Sequence, residues 1–164
     1  MRVFKFGGAS VKDATSVKNV QQIIEQHKDG SLIIVVSAMG KTTNKLEAVL
    51  NAHFDGASTS DLLEVVRQEH ITICKELFED KAHKVIDDLN NTLVEVEWAL
   101  DDPDGLDKRF QYDQIVSIGE MLSTKIVAAY LTSQGIKNKW IDARDLIRTD
   151  NTYQDAIVDW NETC

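Results

Sequence analysis

Near the start of the 164-residue chain, Lys5-Phe6-Gly7-Gly8-Ala9-Ser10 sets an ammonium, a glycine pair and a hydroxyl close together. The chemistry such a set offers is the binding of an anion. Val3, Phe4 and Phe6 make a short run of strand-forming residues, the glycine pair stops it, and a helical pattern opens near Lys12. Strand, glycine turn and helix N-terminus in that order aim free backbone N–H groups at one point. Glycine lets the backbone approach a phosphate with no side chain in the way. Lys5 supplies the full positive charge nearby, so a phosphoryl group is the anion this arrangement suits. The plainer reading is a strand ending in Gly-Gly with a solvated lysine on it. The spacing fits neither Gly-x-x-x-x-Gly-Lys-Ser/Thr nor Gly-x-Gly-x-x-Gly.

Two further stretches place polar groups where ligands bind. Ser37-Ala38-Met39-Gly40-Lys41-Thr42-Thr43-Asn44 follows directly on the apolar run Leu32–Val36. Leu46, Val49 and Leu50 mark the next helix, so Thr42 or Thr43 lies at its N-terminus. Open α/β sheets bind ligands at the carboxyl ends of parallel strands, which would bring Ser37, Lys41 and a threonine together above the sheet. A plain helix N-cap is the alternative role for either threonine. The other stretch, Ser117–Thr124, holds Gly119 and Glu120 inside a helical pattern over Phe110–Leu131. A glycine in mid-helix costs about 1 kcal/mol relative to alanine, so something approaches closely there, if only another backbone. Glu120, flanked by Ile118, Met121 and Leu122, would ordinarily be a surface carboxylate at the edge of the apolar stripe.

These residues need elements to position them. Asp13 reads as an N-cap, and Val17, Val20 and Ile24 give an amphipathic helix that ends near His27, with Asp29-Gly30 as its stop. Leu32–Val36 is a continuous β-branched run, as expected of a strand buried on both faces of a parallel sheet. Strand, helix and strand form a right-handed βαβ unit, and the class is α/β. A helical excursion over about 60–102 follows. Asp61-x-x-Glu64 resembles a capping box, and Leu62, Val66, Ile73 and Leu77 share one face. Ile86, Leu89, Leu93, Val96 and Leu100 make a second stripe, linked to the first around Glu79–Lys81 as an antiparallel helical hairpin. The turn Asp101-Asp102-Pro103-Asp104-Gly105 closes it. The stripe is too short to specify a coiled coil. His70 and Cys74 share a helix face, but no third ligand joins them and core packing is their role. Lys139–Asp142 and Ala156–Val158 read as short strands.

Composition bounds the function. Hydrophobic residues make up 43% and charged residues 27%, the balance of a globular domain with a real core. A net charge of −9 argues against nucleic acid and against an anionic membrane surface as partners. Any positive field for an anionic substrate must therefore be local. Cys74 and Cys164 stand far apart, as reduced thiols would. The opening carries no signal-peptide pattern, no run reads as a membrane span, and the cytoplasm is the default compartment.

Lys-Phe-Gly-Gly-Ala-Ser-Val resembles the aspartokinase signature within the amino acid kinase family, usually Lys-Phe-Gly-Gly-Thr/Ser-Ser-Val, with Ala9 in place of a hydroxyl residue. Ser37-Ala38, then Thr43-Asn44 and a leucine, resembles the second aspartokinase motif. Gly119-Glu120-x-Leu122-Ser123 resembles the third, Phe-Gly-Glu-Arg-Leu-Ser, with Ile118 for the aromatic and Met121 for the arginine. Asp142-Ala-Arg-Asp-Leu-Ile-x-Thr149-Asp150 is likewise aspartokinase-like. The resemblance implies a three-layer αβα fold with a mostly parallel sheet, carbamate kinase-like, with an inserted helical hairpin. It implies that residues 1–164 are the N-terminal part of the catalytic domain, without the nucleotide-binding remainder or the ACT regulatory domains.

The reaction implied is transfer of the ATP γ-phosphoryl group to the side-chain carboxylate of L-aspartate, giving 4-phospho-L-aspartate on the route to lysine, threonine and methionine. Carried onto this sequence, Lys5 is the catalytic residue and, with Phe6, Gly7, Gly8 and Ser10, binds the ATP phosphates. Ser37, Thr43 and Glu120 hold aspartate, with Glu120 meeting its ammonium group. Mg²⁺ rides on ATP, with no protein ligand set for it here. A carboxylate nucleophile, with a reference pKa of about 3.9, is already ionised at neutral pH and needs no general base. It needs alignment and charge neutralisation. The resemblance further implies allosteric control and a homo-oligomer at full length, and an isolated piece that is inactive. The alternatives are a relative acting on glutamate or acetylglutamate, and a non-catalytic piece that binds a ligand or partner.

Overall fold

The computed structural model describes residues 1–101 and 107–163. Beyond Asp101 the expected Asp101–Gly105 turn lies outside the described residues, as does Cys164. Two strands, β1 (Arg2–Phe6) and β2 (Leu32–Val36), pair in parallel from Arg2 opposite Leu32 to Phe6 opposite Val36. The crossover is α1 (Ala14–Glu25). Its N-cap is Asp13, whose carboxylate accepts from the Ser16 N–H at 2.8 Å, and Val17, Val20 and Ile24 are buried. Between the glycine pair and α1 the chain makes a 3-10 turn over Gly8–Val11, and α1 starts at Ala14 behind the expected Asp13 cap.

The sheet is covered on one face. Phe6 and Val36 are buried and Phe4 and Ile34 pack against the core, whereas Val3, Ile33 and Val35 are 59%, 46% and 45% exposed. Lys5 shares that open face, since successive strand side chains alternate. The run expected to be buried on both faces is therefore buried on one, because nothing among the described residues lies over the other.

The remaining helices build the core. They are α2 (Thr42–Phe54), α3 (Ser60–Phe78), α4 (His83–Asp101), α5 (Lys108–Val116) and α6 (Ile118–Ser133). The α3–α4 hairpin turns through a 3-10 link at Glu79–Lys81. Its buried stripe runs through Leu63, Val66, His70, Ile73 and Leu77, so Leu63 and not Leu62 faces inward. The Asp61 capping box does not form. The helix begins at Ser60, and Asp61 stands in the first turn, where its charge suits the helix dipole.

The pattern over 110–131 predicts one helix, but the chain breaks it at Ser117, whose hydroxyl donates back to the Gln114 carbonyl at 3.0 Å. Such back-bonding competes with the helical ladder. Between them, α5 and α6 form an apolar stretch, Lys108–Ser133, long enough by composition to cross a membrane. Its most apolar window is 61% buried inside the fold, as a core helix would be. Ile118, Leu122 and Ile126 pack with Leu89 and Leu93 of α4 and with Leu46 and Leu50 of α2.

The two late strands do not form as expected. Lys139–Asp142 is irregular, and the indole N–H of Trp140 donates to the Thr124 hydroxyl at 3.0 Å, fastening this segment to α6. Asp142 then caps a 3-10 turn, accepting from the Arg144 N–H at 2.9 Å. In place of a strand at Ala156–Val158 there is one antiparallel bridge, Thr149 to Val158.

His70 and Cys74 are core residues. The His70 Nδ1 bonds the Val66 carbonyl at 2.8 Å, its Nε2 has no partner among the described residues, and burial pushes its pKa below the usual value. Burial pushes the Cys74 thiol up to about 12. An unfolded histidine titrates near pH ~6.5. With its folded pKa lower, His70 contributes stability that is complete above that value and is lost as pH falls through the folded pKa. Urea unfolding at pH ~7.5 and pH ~5 should therefore give the lower midpoint at the acid end, and His70→Phe should narrow the gap. A gap unchanged by that substitution would assign the pH dependence to other groups.

Candidate functional site

Both strands end at the same edge, and the segments that follow are stitched together there. The Ser37 N–H donates to the Phe6 carbonyl at 3.0 Å and the Gly40 N–H to the Gly8 carbonyl at 3.1 Å. Gly8 lies against the Ala38 peptide so closely that a Cβ on it would meet the Ala38 carbonyl oxygen at 2.5 Å and that of Gly40 at 3.2 Å. No larger residue fits without a backbone shift. Around Gly7, by contrast, the space is open.

The first turn of α6 closes on Ala38 from another side. A Cβ on Gly119 would meet the Ala38 Cβ at 3.0 Å, the Thr42 Cγ2 at 3.3 Å and the Leu46 Cδ1 at 3.4 Å. Gly119 is thus a first-turn residue and not a mid-helix one, and what approaches it is mainly side chain. That close approach carries Glu120, half-buried, onto the strand ends, where its Oε1 accepts from the Ala38 N–H at 3.3 Å. One turn further, the fully buried Ser123 hydroxyl lies 2.7 Å from the Ser37 carbonyl and 3.1 Å from that of Glu120.

The two threonines divide their roles. Thr42 is buried and its hydroxyl donates to the Met39 carbonyl at 2.7 Å, which shapes the loop. Thr43, half-buried beside it in the first turn of α2, makes no side-chain hydrogen bond among the described residues. Lys12 and Lys41 line a groove of about 520 Å³ along this loop, together with Asp13 and Glu76, so that positive and negative side chains alternate there. Lys45, in the same groove, is paired with Glu69.

Of the residues singled out in the sequence, the fold brings Gly8, Ser37 and Glu120 into one cluster, with Thr43 in the adjoining helix turn. Phe6 is buried and offers only its backbone, its carbonyl already taken by Ser37. Gly7 stands extended at the head of the 3-10 turn, and Ser10 is exposed within that turn, its N–H donating to the Gly7 carbonyl at 2.8 Å. Lys5 is opposite Val35 and leaves the sheet exposed on the open face, with no side-chain hydrogen bond or ion pair among the described residues. Two residues at this junction were given no role from sequence: Ala38 and Ser123. The signal was present, since a hydroxyl three positions after a helix carboxylate shares its face.

The model of the amino acid kinase family matches residues 1–162. The chain is 36% identical over 165 aligned positions to the chloroplastic aspartokinase 1 of Arabidopsis thaliana, a match that covers 96% of this chain and 28% of that protein. It is 30% identical to the aspartokinase of Chlamydia trachomatis, covering 96% of this chain and 34% of that one. Among solved structures, E. coli aspartokinase III in complex with aspartate and ADP superposes with a TM-score of 0.81 at 23% identity, over 97% of this chain and 35% of that chain. The chain thus spans about a third, or less, of the length of these relatives.

The glycine pair offers a direct test of the junction. Gly8→Ala forces backbone apart and should destabilise the chain by about 1–3 kcal/mol, as overpacking does. Gly7→Ala should stay within about 0.5 kcal/mol, as open sites do. Urea unfolding measures both, and equal effects would contradict the close packing at Gly8.

Proposed function

Because the chain belongs to the amino acid kinase family, we propose that it carries the aspartate-binding and phosphoryl-binding half of an aspartate kinase site. The observation that supports this most is the junction at Ala38, where a glycine loop suited to phosphate and a half-buried carboxylate meet at the ends of two parallel strands. The reaction is transfer of the γ-phosphoryl group of ATP to the side-chain carboxylate of L-aspartate.

The chemistry asks little of the protein beyond placement. The attacking carboxylate is already ionised, so no residue has to remove a proton. What opposes reaction is the approach of one anion to another, and the remedy is preorganised positive charge and N–H groups. In this reading Glu120 exchanges the Ala38 N–H for the ammonium of aspartate, and Ser37 and Thr43 orient the rest of that molecule. The N–H groups of Gly7 and Gly8 bind the travelling phosphoryl oxygens, with Phe6 and Ser10 completing the backbone turn around them. Lys5 neutralises the transferring charge from the open face of the sheet, so the phosphates must straddle the strand ends. Mg²⁺ carried on ATP supplies further neutralisation when bound.

The contacts to base and ribose belong, in this proposal, to the length of the relatives that the chain does not span. So do feedback control and the homo-oligomeric contacts of a cytoplasmic enzyme on the route to lysine. A second reading, ligand binding without turnover, is favoured for the isolated chain by its 28% coverage of the Arabidopsis relative.

A coupled ADP-release assay with L-aspartate, run on this chain and on a fusion that continues it with the rest of a relative, separates the two. The fusion should turn over and the chain alone should not. In the fusion, Lys5→Ala should lower mainly kcat, and Glu120→Ala should raise mainly the KM for aspartate. Turnover that survives both substitutions would refute the assignment.

A further inference from the structure

The peptide between Ser37 and Ala38 is held at both of its ends by a single turn of α6. Its carbonyl receives the Ser123 hydroxyl at 2.7 Å and its N–H is received by the Glu120 carboxylate at 3.3 Å. In a trans peptide the C=O and N–H point in opposite directions. Residues three apart on a helix are separated by about 4.5 Å along the axis. The two side chains therefore bracket one peptide lying along the helix. The grips differ in kind: Ser123 is fully buried, whereas Glu120 is half-buried and faces the strand ends.

We propose that Ser123 is the positioning residue of the substrate site: it keeps the Ser37–Ala38 peptide fixed while Glu120 lets go of the Ala38 N–H to take the substrate's ammonium group. The proposal rests on the functional reading above for the identity of that ligand. The Ala38 N–H is a neutral donor held by one carboxylate oxygen at a long 3.3 Å, and an ammonium offers that carboxylate the shorter, stronger charge-assisted bond. A second anchor on the same peptide prevents the loop that carries Ser37 and Thr43 from moving when the first is withdrawn. The anchor must be neutral, so that it does not compete for the ammonium, and it must be shielded from water. A buried serine hydroxyl meets both conditions.

The test uses amide hydrogen exchange in this chain without ligand, read residue by residue by NMR. Ser123→Ala leaves the Ser37 carbonyl without its donor, and the Ala38 and Gly40 amides should exchange about tenfold faster relative to those of Ile126 and Val127. If that variant does not fold, Ser123→Cys, with a weaker donor of similar shape, should show the same local pattern at about threefold. Uniform acceleration along the chain, or no change at Ala38, would overturn the proposal, since a residue that only fills the core would give one or the other.

In the fusion, Ser123→Ala should raise the aspartate KM about tenfold and leave the ATP KM unchanged, whereas equal rises in both KM values would overturn the assignment. If the unsubstituted fusion shows no aspartate-dependent turnover while the local exchange pattern holds, the anchoring role of Ser123 stands and the aspartate reading fails.

Discussion

The site depends on how closely two glycines approach Ala38. Gly8 presses on its carbonyl and Gly119 on its methyl group, and in both places a Cβ would meet an atom at 3.0 Å or less. Two residues without side chains thus let a loop, a 3-10 turn and a helix share a space that ordinary residues would hold apart. Once they are that close, Glu120 and Ser123 reach the same peptide without bridging water. The polar geometry follows from the absence of two methyl groups.

The rest of the chain keeps that contact rigid. One side of α6 is committed to the core through Ile118, Leu122 and Ile126, so the turn bearing Glu120 cannot tilt without opening a cavity. The α3–α4 hairpin backs it, with Leu89, Leu93 and Val96 buried against the same cluster. Trp140 pins the segment leaving α6 to Thr124, whose hydroxyl also donates to the Glu120 carbonyl at 2.7 Å. From the other direction, the parallel register of β1 and β2 sets Phe6 level with Val36 and so fixes where both loops begin. The uncovered face, with Val3, Ile33 and Val35 around Lys5, has no such support among the described residues.

Local patterns were the legible part of the sequence. The bounds of β2, the Asp13 cap and the helical hairpin rest on residue runs and spacings whose physics is contained within a few positions. What failed depended on neighbours far along the chain. Leu62 and Leu63 both suit the stripe of α3, and only the way the hairpin crosses the core selects Leu63. The helix break at Ser117 moved Gly119 from mid-helix to a first turn, although the inference of a close approach there was sound. Lys139–Asp142 carries strand-like residues, but Trp140 finds its partner on α6. At the junction, Gly8, Ser37 and Glu120 could be named from motif and position. That Ala38 is the point where they meet could not, because an alanine carries no chemical signal and its role is to be small.

A structure of the fusion protein with L-aspartate and ADP bound would examine the junction most directly. The account requires the substrate ammonium within about 3 Å of the Glu120 carboxylate, the Ala38 N–H released from it, and the Ser123 hydroxyl still on the Ser37 carbonyl. Aspartate seated elsewhere, with Glu120 still holding the Ala38 N–H, would contradict it.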